Sequence, residues 1–73
     1  MTSFGEKAVG LDFNPSGSTS VQGIKVAFAN VIDVLNELRN QSGVTSEQVR
    51  LYSIAITEAQ AAQMWAVKAA TWR

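Results

Sequence analysis

The sequence predicts an all-α protein: an N-terminal arm over residues 1–17, then a long antiparallel helical hairpin, with helices over about 18–41 and 46–72, that oligomerises through its second helix. Three observations carry this. Apolar residues recur at steps of three and four through the first helical segment. Gly43 and the Thr45–Gln48 pair punctuate the chain between two such segments. The second segment, with no glycine or proline inside it, is apolar most of the way around.

The arm holds three of the five glycines and the single proline. In Phe13-Asn14-Pro15-Ser16-Gly17 the proline fixes its own φ and holds Asn14 extended, which leaves Ser16 and Gly17 to present backbone N–H groups. An ordered loop or a short strand-like arm is expected. Phe4, Val9, Leu11 and Phe13 give it apolar surface to pack.

Ser18 or Ser20 supplies the N-cap of the first helix. Val21, Ile24, Phe28, Val31, Ile32, Leu35 and Leu38 make its buried face, and Asp33, Asn36, Glu37 and Asn40 its wet side. Gly23 inside this pattern costs about 1 kcal/mol relative to alanine, which calls for a close contact or a displaced start. Gly43 suits a left-handed C-cap. Thr45 and Gln48 form a capping-box pattern, with Glu47 near the positive helix end, and the second helix then runs on the order of 40 Å at about 1.5 Å per residue.

Three registers divide that helix. Tyr52, Ala55, Ala59, Ala62, Ala66 and Ala69 follow the alternating three-and-four spacing of a coiled-coil seam, filled with a residue that allows close backbone approach. A second side carries Ile54, Ala61, Trp65 and Trp72 with Lys68 among them; the lysine stem can lie along a tryptophan. Leu51, Ile56 and Val67 add apolar surface elsewhere. One facing helix cannot cover all of this, so further copies of the chain are the expected cover. The third register is polar: Ser46, Arg50, Ser53, Thr57 and Gln60. It is either a solvated face, with Arg50 paired to Glu47 or Glu58, or a ligand stripe whose arginines converge where copies meet and draw an anion.

Composition sets the exclusions. A chain of 73 residues buries little surface for its size, and with no cysteine it has no disulfide to help, which again points to oligomerisation. The absence of histidine and cysteine removes the usual metal ligands and proton shuttles, so neither a catalytic constellation nor a metal site nor a cofactor is expected. Asp33 and Glu37, one helical turn apart, read as a solvated face. Six basic residues balance six acidic ones, which argues against binding DNA or RNA polymers. No apolar run approaches the roughly 20 residues of a membrane span, and no signal-peptide h-region is present. A soluble, cytoplasmic protein is expected.

The run Arg50-Leu51-Tyr52-Ser53-Ile54-Ala55-Ile56-Thr57-Glu58-Ala59, with Met64-Trp65-Ala66-Val67-Lys68-Ala69 after it, resembles the hairpin of phage anti-defence sponges. These are the anti-CBASS cyclic-nucleotide sponge and the related Thoeris anti-defence sponge. The resemblance covers the second helix well, the first helix as an amphipathic pattern, and the arm loosely. It implies a homohexamer in the cytoplasm of the infected bacterial host that sequesters immune second messengers without cleaving them. The implied ligands are cyclic dinucleotides or cyclic ADP-ribose isomers at one class of pocket, through a stacking aromatic and a base, and cyclic trinucleotides at a second class, through a ring of arginines.

Carried onto this chain, Arg50 matches the arginine of the second class, with Ser53 and Thr57 following on its stripe. Phe13 and Lys25 match the aromatic and the base of the first class, with Phe where anti-CBASS members have a tyrosine. Physical chemistry bears on these matches separately. Stacking on Phe13 is worth about 1 to 3 kcal/mol per base, although a hydrophobic plug under the arm is an equal reading of that residue. Asn14, Ser16 and the Gly17 N–H can meet base edges or phosphate, or simply form a turn. Lys25 lies near the positive end of the first helix, a misfit that an anionic ligand would relieve. Trp65 and Trp72 read as core or interface anchors. The competing function, from a different class, is a small oligomeric adaptor with no small-molecule ligand.

Overall fold

The computed structural model describes residues 2–15 and 17–73, which form three helices: α1 (Phe4–Val9), α2 (Thr19–Arg39) and α3 (Ser46–Thr71). Helices α2 and α3 make the antiparallel hairpin, and the all-α class stands. Both helices are a little shorter than the spacing alone suggests.

The arm differs from expectation. No strand-like segment is found among the described residues; instead Phe4–Val9 is helical. Ser3 Oγ accepts from the Glu6 N–H at 3.1 Å while Glu6 Oε1 accepts from the Ser3 N–H at 2.8 Å, a complete capping box. Gly10, left-handed at φ 63°, closes the other end. Its N–H donates to the Lys7 carbonyl at 3.2 Å and that of Leu11 to the Glu6 carbonyl at 2.9 Å, the paired closure that leaves few helix-end carbonyls open. A helix this short is marginal alone, so α2 has to hold it.

Gly5 is where α2 does so. A Cβ built there would lie 2.0 Å from the Ala29 carbonyl oxygen, so the two backbones approach closer than any other residue allows. The Gly5 N–H donates to Asp33 Oδ1 at 2.6 Å. Asp33 is therefore not part of a solvated face, as its spacing with Glu37 suggested; it is half-buried and receives an open N–H of α1.

Ser18 caps α2, its Oγ accepting from the Val21 N–H at 3.3 Å. The helix ends at Arg39 because Asn40 leaves helical geometry and its side-chain amide donates to the Asn36 carbonyl at 2.7 Å. Gly43 is left-handed, at φ 87°, but it lies in the turn beyond this end and is not the helix C-cap. Gly23 is exposed with open space at its Cβ position, and α2 already begins at Thr19, so within the chain neither a close contact nor a displaced start accounts for it.

The Thr45–Gln48 box is formed in both directions, at 3.1 Å and 2.9 Å. Replacing Thr45 with alanine is expected to cost about 1 kcal/mol. At roughly 4–8 °C per kcal/mol for a domain of this size, thermal unfolding at fixed protein concentration should show the loss plainly.

Val9 of α1, Ala29 and Ile32 of α2 and Ile56 of α3 form the core, with Leu11, Phe28, Leu35 and Ala59 packed around it. Ile32 is fully buried. The molecule measures 45 × 25 × 12 Å, and its shortest dimension is near the diameter of a single helix with side chains. Such a slab can cover only the edge where helices meet. Val31 and Val34 on α2, and Leu51, Ile54, Met64, Trp65 and Trp72 on α3, are accordingly exposed. Within the chain the tryptophans are not core residues.

Candidate functional site

The turn after α1 meets the start of α2 and the end of α3. Phe13, Asn14, Pro15, Val21, Lys25, Val67 and Thr71 line a recess of about 220 Å³ there. Val21 and Lys25 are one turn apart on α2, as are Val67 and Thr71 on α3, so each helix gives the recess one face. Phe13, at its edge, is 73% exposed. It is no plug beneath the arm.

Lys25 is 5% exposed. Its Nζ donates to the Gly10 carbonyl at 2.9 Å and also to the Phe13 carbonyl, and lies 5.5 Å from the centre of the Phe13 ring. The positive charge near the start of α2 is thus met by two carbonyl dipoles from the end of α1 and the turn behind it.

Asn14 and Gly17 complete this turn. Asn14 Nδ2 donates to the Ser18 carbonyl at 2.9 Å and lies 3.5 Å from Gln22 Oε1. The Gly17 N–H donates to the Asn14 carbonyl at 3.0 Å, so it serves the turn. Ser16 lies outside the described residues. The structure therefore brings Phe13, Asn14 and Lys25 to one recess, with Gly17 in the turn that borders it.

Arg50 of the polar stripe sits toward the other end of the hairpin, about 25 Å along α3 from Val67 at 1.5 Å per residue. Arg50 forms a two-pronged pair with Glu47, Nε to Oε1 at 2.8 Å and Nη2 to Oε2 at 2.7 Å, and both side chains are exposed. This hydrogen-bonded pairing holds the Glu47 carboxyl below its ordinary pKa and Arg50 above its own. Whatever support the pair gives is present above the ordinary carboxylate range and lost as pH falls through the depressed Glu47 value.

The stripe does not stay together. Ser53 Oγ accepts from Arg39 Nη1 at 3.0 Å and donates to the Val49 carbonyl at 2.7 Å, which commits its hydroxyl to the hairpin interior. Gln60 Nε2 reaches the Ala8 carbonyl of α1 at 3.3 Å. Arg50 and Thr57 are exposed, although the Thr57 hydroxyl donates to the Ser53 carbonyl at 3.2 Å. Arg39, which no local pattern in the sequence singles out, also lies 5.2 Å over the Phe4 ring and so ties α1 to the hairpin.

On the outer side of α3, Lys68 Nζ lies 5.2 Å from the centre of the Trp65 ring and 5.6 Å from that of Trp72, so its charge is within cation–π reach of both tryptophans. Among the described residues no group of three or more His, Cys, Asp or Glu is arranged to hold a metal ion. No described helix is long and apolar enough to cross a membrane.

Comparison with known proteins adds one finding. The model of the Acb2/Tad1 hairpin domain matches residues 6–71, which spans α2, α3 and most of the segment before them. No curated protein and no solved structure matches the chain. The chain belongs to the Acb2/Tad1 hairpin family, the anti-CBASS and anti-Thoeris sponges, which are binding proteins for cyclic nucleotide signals rather than enzymes.

Proposed function

We propose that this chain is a phage anti-defence sponge. It binds immune second messengers in the cytoplasm of the infected bacterial host and withholds them, uncleaved, from the host effector. The candidate ligands are cyclic dinucleotides, cyclic trinucleotides and cyclic ADP-ribose isomers. The observation that carries this reading, beside family membership, is the exposed Phe13 ring on a recess bordered by the Lys25 ammonium. A planar base can stack there, and the apolar side chains of Val21, Pro15 and Val67 exclude water behind it.

The recess is also too small to work alone. Ligand sites run from about 300 to 1,000 Å³ and bury most of the ligand, whereas one chain offers about 220 Å³. A second copy completes it. The same reasoning applies to Arg50, a single exposed guanidinium that becomes an anion site when several meet. A homohexamer supplies both arrangements, and the uncovered apolar faces of α2 and α3 provide its contacts. Sequestration then follows mass action: the sponge succeeds where its sites outnumber the messenger and bind it more tightly than the effector does.

Calorimetry with a panel of cyclic dinucleotides, cyclic trinucleotides and cyclic ADP-ribose isomers tests the reading. Heat with at least one class is expected, together with recovery of intact ligand after the protein is heat-denatured. No heat with any member favours the adaptor. Phe13→Ala should weaken the dinucleotide class selectively, by about 10- to 100-fold for one lost stacking contact. Arg50→Ala should weaken the trinucleotide class and leave assembly intact. If Arg50→Ala instead yields monomers, the arginine serves the assembly and the second pocket is wrongly placed.

A further inference from the structure

We propose that α3 pairs with α3 of a second copy of this chain, antiparallel and centred on Gln63, so that Glu58 of each copy meets Lys68 of the other. This deepens the assembly proposed above and rests on it. Ile54, Glu58, Ala61, Trp65, Lys68 and Trp72 follow one another at steps of four and three, the spacing of a coiled-coil seam, and all six are exposed. Gln63, at their midpoint, is buried, so the seam runs along the side of α3 turned away from the core. Its spacing is the same read in either direction. Turning a second copy about the midpoint therefore sets each member opposite another: Ile54 opposite the partner's Trp72, Glu58 opposite the partner's Lys68, and Ala61 opposite the partner's Trp65. Each of these layers occurs twice, as a two-fold contact requires.

The chemistry of the layers selects this register. In one, the smallest residue of the seam faces an indole, and Ala61, Met64, Trp65 and Lys68 line a recess of about 290 Å³ where that ring can enter. In the next, acid faces base. Within one chain Glu58 and Lys68 lie about 15 Å apart along the helix, too far to meet, and among the described residues neither forms an ion pair. A parallel pairing would put Glu58 on Glu58 and Lys68 on Lys68, two repulsive layers. An antiparallel pairing slipped by one heptad would set Glu58 against the partner's Ala61, or carry it beyond the partner's last residue. Only the centred register matches both charges. Charged residues inside an apolar seam lower its stability and in return fix its register, which explains their presence between the tryptophans and Ile54.

The chain has no cysteine, so introduced thiols report the register directly. Chains carrying Glu58→Cys and chains carrying Lys68→Cys, mixed, allowed to exchange and then oxidised, should form a disulfide between the two kinds of chain. Glu58→Cys alone should not cross-link, because its two copies would lie about 15 Å apart along the seam, beyond disulfide reach. Cross-linking of Glu58→Cys with itself, or none in the mixture, overturns the register. Charge reversal gives an independent measure. Glu58→Lys and Lys68→Glu should each raise the concentration at which the assembly dissociates, read by sedimentation, by about tenfold, since each places like charges together twice. The double variant restores opposite charges and should return to within about threefold of wild type; a double variant as weak as the single ones overturns the pairing. None of these readouts uses a ligand. Wild-type protein that binds messenger but shows neither the mixed disulfide nor the charge rescue removes this contact and leaves the sponge, whereas paired chains that bind no messenger remove the sponge and leave the contact.

Discussion

Gly5→Ala is expected to destabilise the protein strongly, against the direction that helix propensity alone would give. In an open helix the substitution gains about 1 kcal/mol. Here the new methyl group would sit 2.0 Å from the Ala29 carbonyl oxygen and 2.8 Å from Asp33 Oδ1. The first obstacle is backbone, fixed within α2, so α1 has to move away. That breaks the hydrogen bond from the Gly5 N–H to Asp33 and withdraws Val9 from the core. The cost of overpacking is typically 1–3 kcal/mol, about 10 °C in melting temperature for a domain of this size. Thermal unfolding of both proteins at one concentration gives the sign directly. A stabilised Gly5→Ala would mean that α1 does not rest against α2 as described. The displacement should also separate the two candidate regions: the Phe13 recess depends on the end of α1, whereas Arg50 lies at the far end of the hairpin and is tied to Glu47. Dinucleotide binding should therefore suffer more than trinucleotide binding.

Gly5 also shows why the arm was harder to read than the hairpin. The hairpin is written in local terms: the spacing of Val21, Phe28, Ile32 and Leu35 selects a face, and Thr45 with Gln48 starts a helix through bonds spanning three residues. Ser3 and Glu6 carry the same local signal, Ser-x-x-Glu, and it would have located α1. The glycine between them pointed instead to a loop. Its purpose is tertiary, a close approach to a residue 24 positions away, and no window on the sequence contains that.

Lys25 and Asp33 were misleading for a related reason. By position on α2 alone, the first is a misplaced cation and the second part of a wet face. Each is in fact matched to backbone groups of the segment before α2, Lys25 to carbonyls and Asp33 to an N–H. The polar stripe divides by the same logic. Ser53 and Gln60 turn inward because Arg39 and the Ala8 carbonyl meet them, while Arg50, paired with Glu47 on its own helix, remains at the surface. Periodicity identifies which residues share a face; it does not say which of them find partners across it.

Trp65→Glu is expected to dissociate the proposed assembly into monomers. In the slab α3 has one edge against α2, and the opposite side exposes Leu51, Ile54, Trp65 and Trp72. Trp65 and Trp72 are 69% and 72% exposed, more apolar surface than a chain of this size ordinarily leaves in water. Tryptophans buried where chains meet commonly contribute 2 kcal/mol or more each, and a symmetric assembly repeats the loss at every copy of the contact. A carboxylate at position 65 would also have to be desolvated there. Light scattering coupled to gel filtration should show wild-type protein near six times the 7.9 kDa chain, and the variant near the single chain. Circular dichroism should find the variant still helical, because Ile32 and Ile56 lie on the other side of α3 from the substitution. Under the proposed function, in which a second copy completes the recess and several copies bring Arg50 together, binding of both ligand classes should be lost together. A wild type that already runs as a single chain, unchanged by Trp65→Glu, would remove the hexamer and leave the tryptophan face to be covered by a different protein.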